Sequence, residues 1–109
     1  MTEKSIKYLS DILMAIILIE EFTLGFDFSA YEMDKKTQSA VERQLAIMGE
    51  ALNQFKKLET TISIENDKQI VAFRNRLIHA YDSLDNSIVW AIMNRHLKPL
   101  KSEIENLIK

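Results

Sequence analysis

The chain has no cysteine, one proline and only two glycines in 109 residues. Without cysteine there is no disulfide framework, no zinc ribbon and no thiol nucleophile. So little proline and glycine means the turn punctuation of an all-β or α/β chain is missing, which points to a few long helices. Long hydrophobic runs are also lacking. The longest, Ile12 to Ile19, has eight residues, against the roughly 20 that cross a bilayer. Lys4 and Lys7 precede this run as in a signal peptide, but Asp11 adjoins it, Glu20 and Glu21 follow directly, and no small-residue cleavage site appears. The run reads as a buried helix face. An excess of charge of one sign is absent as well. The formal net charge is -2 and the pI is about 5.7, which argues against non-specific electrostatic binding to nucleic acid or an anionic membrane. RNA, if handled, must meet a local site.

What is present is an ordinary globular composition, 47% hydrophobic and 28% charged, at a length that suits one domain spanning residues 1–109. Lack of cysteine is compatible with the cytoplasmic location expected here. Thr2 is a candidate N-cap for a first helix running to about Leu24, with Ile6, Leu9, Leu13, Ile16 and Ile17 at three- and four-residue steps and Gly25 as the stop. Ser29 and Glu32 have the spacing of a capping box for a short turn around Tyr31. Asp34 then caps a second helix whose seam is Val41, Leu45, Met48, Leu52 and Phe55, with Lys56 and Lys57 at the C-terminal end that the helix dipole favours. Thr60 to Asn66 reads as a loop. Asp67 is expected to cap a third helix, through Ile70, Phe73 and Leu77 to an end near Tyr81. Asp85 caps a fourth, with Ile88, Ile92, Leu97, Leu100, Ile104 and Leu107 facing inward and Pro99 expected to kink or divide it. The expected fold is all-α, an up-and-down four-helix bundle with a short extra turn between the first and second helices.

One segment departs from bundle filler, Arg74-Asn75-Arg76-Leu77-Ile78-His79-Ala80-Tyr81-Asp82. Arg74 stands three residues after Val71 and four before Ile78, so a guanidinium interrupts an apolar stripe. That placement is costly unless a carboxylate, a phosphate or a helix end accepts its donors. Glu50, beside the small residue Gly49 on the second helix, is a candidate carboxylate. His79 lies five residues after Arg74, about 140° around a regular helix, so the two share no tight face. They converge by the long arginine reaching round, by a loosened helix end, or by two copies of the chain meeting. An arginine and a histidine suit phosphate-ester cleavage: the imidazole moves the proton of a ribose 2'-hydroxyl or of the leaving oxygen, and the guanidinium neutralises the non-bridging oxygens. The spacing alone is common in helical proteins, so a structural Arg and His stays open at this point.

The segment R-N-R-L-I-H-A-Y resembles the R-x4-H-x-Y signature of HEPN-domain proteins, specifically the HepT-like ribonuclease toxin family. The likeness extends to Tyr8–Leu13, to the A-V-x-R-x-L-x-I-x-G-E-A-L run within Thr37–Leu52, and to I-V-W and L-K-P-L within Asp85–Leu100. The resemblance implies a helical homodimer with two R-x4-H motifs in one cleft. It implies a metal-independent endoribonuclease, the toxin of a toxin–antitoxin pair, with Arg74 and His79 as the catalytic pair and RNA as substrate. Asn75 matches the polar residue after the arginine, there to orient the RNA phosphate or the histidine. Tyr81 matches the tyrosine that a partner nucleotidyltransferase antitoxin adenylylates. No cofactor, DNA or membrane partner is expected.

Other chemistries find less support. Neither His79 nor His96 has a glutamate three residues before it, as a di-iron bundle requires. His79, Asp82 and Asp85 at three-residue steps are a poor ligand set, so no metal is expected. Gly25 and Gly49 make no phosphate loop, and no nucleophile elbow is present. His96 reads as a boundary or core histidine, Trp90 as a packing anchor, and Arg43 and Arg95 as solvated. Two function classes follow: the nuclease, which needs both Arg74 and His79, and a non-catalytic nucleotide- or partner-binding module, which needs only the Arg74 phosphate anchor.

Overall fold

A computed structural model describes the backbone of residues 1–79 and 85–109 and the side chains of residues 1–77 and 85–109. Within them the chain forms five helices and no strand: α1 (Glu3–Phe22), α2 (Phe28–Glu32), α3 (Lys35–Leu58), α4 (Asp67–His79) and α5 (Asn86–Ile108). The expected end of the third helix near Tyr81 lies outside the described residues.

Most helix starts follow the expected caps. The side chains of Thr2, Asp34 and Asp85 accept hydrogen bonds from the backbone N–H groups of Ser5, Thr37 and Ser87, satisfying donors that a helix start leaves open. Two starts differ. The short turn is capped by Asp27, whose Oδ1 accepts from Ala30 N at 2.8 Å, so Ser29 lies inside α2 and makes no capping box. This sets Phe28 and Tyr31 on the face that meets Trp90, with ring centroids 6.1 and 5.3 Å apart. Asp67 does not cap α4 but is its first residue. Asn66, at φ 64°, takes the cap position and its carbonyl accepts from Ile70 N at 3.2 Å. Asp67 instead sits in the positive first turn and pairs with Lys56 at 3.3 Å. At its far end α1 stops at Phe22, two residues short of Leu24. Thr23 Oγ1 donates back to the Ile19 carbonyl at 2.8 Å, and Gly25 turns the chain at φ 80°.

The α3 seam is as expected, with Val41, Leu45, Met48, Leu52 and Phe55 all buried; each such side chain contributes about 1.5–3 kcal/mol of transfer free energy. On α1 the buried stripe is Ser5, Leu9, Ile12, Ile16 and Ile19, while Ile6 is exposed and Leu13 and Ile17 are only partly buried. Ile12 to Ile19 is apolar throughout, so its periodicity does not single out the inner face. On α5 the buried residues are Val89, Met93, Leu97, Leu100 and Ile104, with Ile88 exposed and Ile92 and Leu107 at the margin. The step from Ile92 to Leu97 is five residues and leaves the stripe, whereas Val89 and Met93 continue it at four-residue steps. Pro99 does not divide α5, which runs unbroken to Ile108. Both Pro99 and Arg95 are exposed, so the Arg95 carbonyl that loses its helical donor can be solvated.

Cross-links fix how the long helices lie. Ser5 Oγ donates to Glu59 Oε1 at 2.8 Å, joining the start of α1 to the end of α3. Lys56–Asp67 and Arg74–Glu50 run α4 back along α3. Lys101–Glu20 at 2.8 Å ties α5 to α1. The long helices therefore alternate up and down, and α3 presents one face to α1 and another to α4.

Candidate active site

Arg74 projects from α4 beside the buried stripe of Ile70, Phe73 and Leu77. Its backbone comes unusually near α3. The neighbour there is Gly49, which is buried; an added Cβ would overlap the Cβ of Arg74, reach within 2.8 Å of its Cγ and lie 3.5 Å from the Ile70 carbonyl. Glycine permits this approach because it has no side chain to exclude.

The approach brings the guanidinium onto α3. Arg74 Nη2 donates to Glu50 Oε2, and Nη1 donates to Asn75 Oδ1 at 2.7 Å. Glu50 is itself steadied by Gln54, whose Nε2 donates to Oε1 at 2.9 Å. The carboxylate that Arg74 requires is thus supplied from one helix away, as the sequence suggested. Nε of Arg74 is buried and has no partner among the described residues. The Arg74 side chain is 21% exposed and that of Glu50 is 42% exposed, so the pair lies at a rim rather than in the core. A charge in that position keeps donors available to an incoming ligand.

That rim borders a cavity of about 650 Å3 between α1, α3 and α4. Ala46, Ile47 and Leu77 give it apolar walls, and Tyr8 of α1 closes one side. Its charged groups are Asp11, Glu42 and Glu50 against Arg43 and Arg74. Burial holds the Glu42 carboxyl above its ordinary range. Beneath this side of α3, burial and then the nearby Glu42 carboxylate push the Tyr31 phenol well above its ordinary value; its hydroxyl is buried with no partner among the described residues.

Of the anticipated residues, Arg74 and Asn75 are in direct contact at this rim. His79 is the last described residue of α4, and its side chain lies outside the described residues, as does the whole of Tyr81. Asp82 of the weak metal triplet also lies outside them. Arg95 is exposed, His96 is half-buried, and Trp90 packs on Tyr31 and Phe28 as an anchor. Arg43 is exposed but is no bystander, since it lines the cavity. Tyr8, Asp11 and Glu42 were not anticipated either. A signal for the α3 members exists: Ser39, Arg43, Ala46 and Glu50 repeat at four- and three-residue steps, a second stripe beside the apolar seam.

Comparison with known proteins gives the family. A family model described as Ribonuclease HepT-like matches residues 12–107. The chain belongs to the HepT-like ribonuclease family. It is similar to a protein of Thermococcus cleftensis described as a probable ribonuclease HepT, with 42% identity over 106 residues and 94% of each chain covered. It is also similar to a candidate RNase of Methanocaldococcus jannaschii (32% identity, 96% of this chain and 98% of the relative) and to one of Caldanaerobacter subterraneus (26% identity, 94% and 92%). No solved structure gives a significant match. Family membership sets the reaction class, RNA cleavage by an endoribonuclease. Among the described residues no helix is long and apolar enough to cross a membrane.

Proposed function

We propose that this HepT-like ribonuclease cuts RNA without a metal ion, through Arg74 and His79, and that it is the toxin of a toxin–antitoxin pair. The supporting observation is the Arg74 guanidinium, gripped by Glu50 and Asn75 at the cavity rim, on the helix whose last described residue is His79. A held guanidinium loses little entropy on meeting a phosphate and offers its remaining N–H groups to the non-bridging oxygens as charge grows on them.

In the proposed reaction the ribose 2'-oxygen attacks the adjacent phosphorus while the neutral His79 imidazole takes the 2'-hydroxyl proton. The bond from phosphorus to the 5'-oxygen breaks, that oxygen takes a proton from water, and the His79 imidazolium gives its proton back to solvent. The products are a 2',3'-cyclic phosphate and a 5'-hydroxyl. The attacking oxygen comes from the substrate, so no protein nucleophile is needed, and DNA, lacking that oxygen, is not a substrate. Asn75 steadies Arg74 from the solvent side. A homodimer with two such motifs in one cleft answers the 140° between Arg74 and His79 on a regular helix. Residues 1–109 act as one helical domain in the cytoplasm. A nucleotidyltransferase antitoxin adenylylates Tyr81, two residues beyond His79, adding charge and bulk that block RNA entry.

An RNA carrying a single 2'-deoxyribose at the mapped cut site tests the chemistry. Loss of cleavage at that bond alone, with cyclic phosphate at the remaining cut ends, is the expected result. Cleavage that persists at the deoxy position overturns the 2'-hydroxyl mechanism.

A further inference from the structure

We infer that Glu50 is a positioning residue for Arg74, seated by Gly49, so that the α3 pair Gly49-Glu50 aims the guanidinium of α4. This rests on the reading of Arg74 as the phosphate-facing group.

The geometry separates this role from ordinary packing. Guanidinium has five donors in a rigid fork. Glu50 takes one on Nη2 and Asn75 takes one on Nη1, so both terminal nitrogens are tethered from different helix positions. Held at both terminal nitrogens and by its own covalent stem at Nε, the guanidinium plane has its orientation fixed. The donors left over are Nε–H and one N–H on each terminal nitrogen, and Nε is the buried donor without a partner among the described residues. Glu50 is in turn fixed by Gln54, which makes a relay along α3 from Gln54 through Glu50 to Arg74.

Gly49 sets the distance over which this works. With any side chain there, Arg74 cannot keep its present place, since the new Cβ would collide with Arg74 Cβ and crowd Cγ. The collision is with the root of the side chain, so a change of rotamer gives no escape. Glu50 contributes no proton and touches no substrate in this scheme. Its negative charge beside a phosphate site in fact opposes RNA binding, so the benefit of Glu50 must appear in the rate and not in affinity.

Glu50→Ala and Glu50→Gln provide the test, each with kcat and KM on RNA and with binding of an uncleavable 2'-methoxy RNA. The order of the Arg74 Nε–H vector, read by nitrogen relaxation, is the readout independent of activity. Loss of aim by about 1 Å typically costs on the order of a hundredfold in rate. The expected result is a fall in kcat of roughly that size for Glu50→Ala, with uncleavable RNA bound as well or better and Arg74 Nε mobile. Glu50→Gln keeps an acceptor for Nη2 and should recover part of both the rate and the order, and it serves where the alanine variant does not fold. Parental kcat in either folded variant overturns the inference. So does an Arg74 Nε–H as ordered in the variants as in the parent, whatever the rate. If the parent itself cuts no RNA while Arg74 order still depends on Glu50, the nuclease reading fails and the positioning contact stands.

Discussion

Gly49→Ala is the sharpest test of the packing that creates the site. At an ordinary helical position the change stabilises, because alanine is favoured over glycine by about 1 kcal/mol. Here the added Cβ would overlap the Cβ of Arg74 and reach within 2.8 Å of its Cγ. Neither atom is the far end of a flexible chain, so α4 must move off α3 as a body. Overpacking of this kind costs about 1–3 kcal/mol, and a backbone-rooted clash belongs at the upper end. Against the propensity gain, the net effect is about 2 kcal/mol of destabilisation. With a urea m-value of about 1.5 kcal/mol/M for a chain of this size, the midpoint should fall by roughly 1 M. Urea denaturation followed by circular dichroism, at one fixed protein concentration, reads it. A midpoint equal to or above the parent's would refute the close α3–α4 approach, and with it the argument for how Glu50 reaches Arg74.

Two further outcomes follow from the core. Leu45→Ala removes a side chain that is 2% exposed on the α3 seam and should cost about 2–5 kcal/mol; a nearly unchanged urea midpoint would place the seam elsewhere. Tyr31→Phe deletes a buried hydroxyl with no partner among the described residues, so stability at pH 7 should be unchanged or higher by up to about 1–3 kcal/mol. The pH dependence carries the sign. Burial, and secondarily Glu42, raises the folded-state value of Tyr31, so the unfolded chain releases this proton first. The parent should therefore hold its stability up to about pH 10, the free phenol value, and lose it as pH rises further. The phenylalanine variant should lack that part of the loss, and parallel alkaline unfolding curves would contradict it.

Much of this was legible from residues alone, for identifiable reasons. The α3 seam stands out because Val41, Leu45, Met48, Leu52 and Phe55 alternate four- and three-residue steps along the whole helix. On α1, eight consecutive apolar residues blur the face, so the spacing points to Leu13 and Ile17 where Ile12 and Ile19 are buried. Caps compete among like residues: Asp27 and Ser29 are both good N-caps, and packing of Phe28 and Tyr31 on Trp90 favours the first. Asn66 takes the α4 cap because it tolerates positive φ, which a composition rule that favours Asp67 misses. Within the site, Arg74 and Glu50 were visible as a half-buried charge and a carboxylate beside a small residue. Tyr8 and Asp11 were not, because only the pairing of α1 with α3 brings them to the same cavity.

The central claim, that Arg74 and His79 cut RNA without a metal, is tested most directly by RNA cleavage in excess EDTA. The parent is compared with Arg74→Ala and His79→Ala, after intact mass has shown Tyr81 to be unmodified. The account predicts cleavage by the parent, cyclic-phosphate ends, and no cleavage by either folded variant. Parental rates in the His79→Ala variant, or a folded, unmodified parent that leaves every RNA intact, would contradict it.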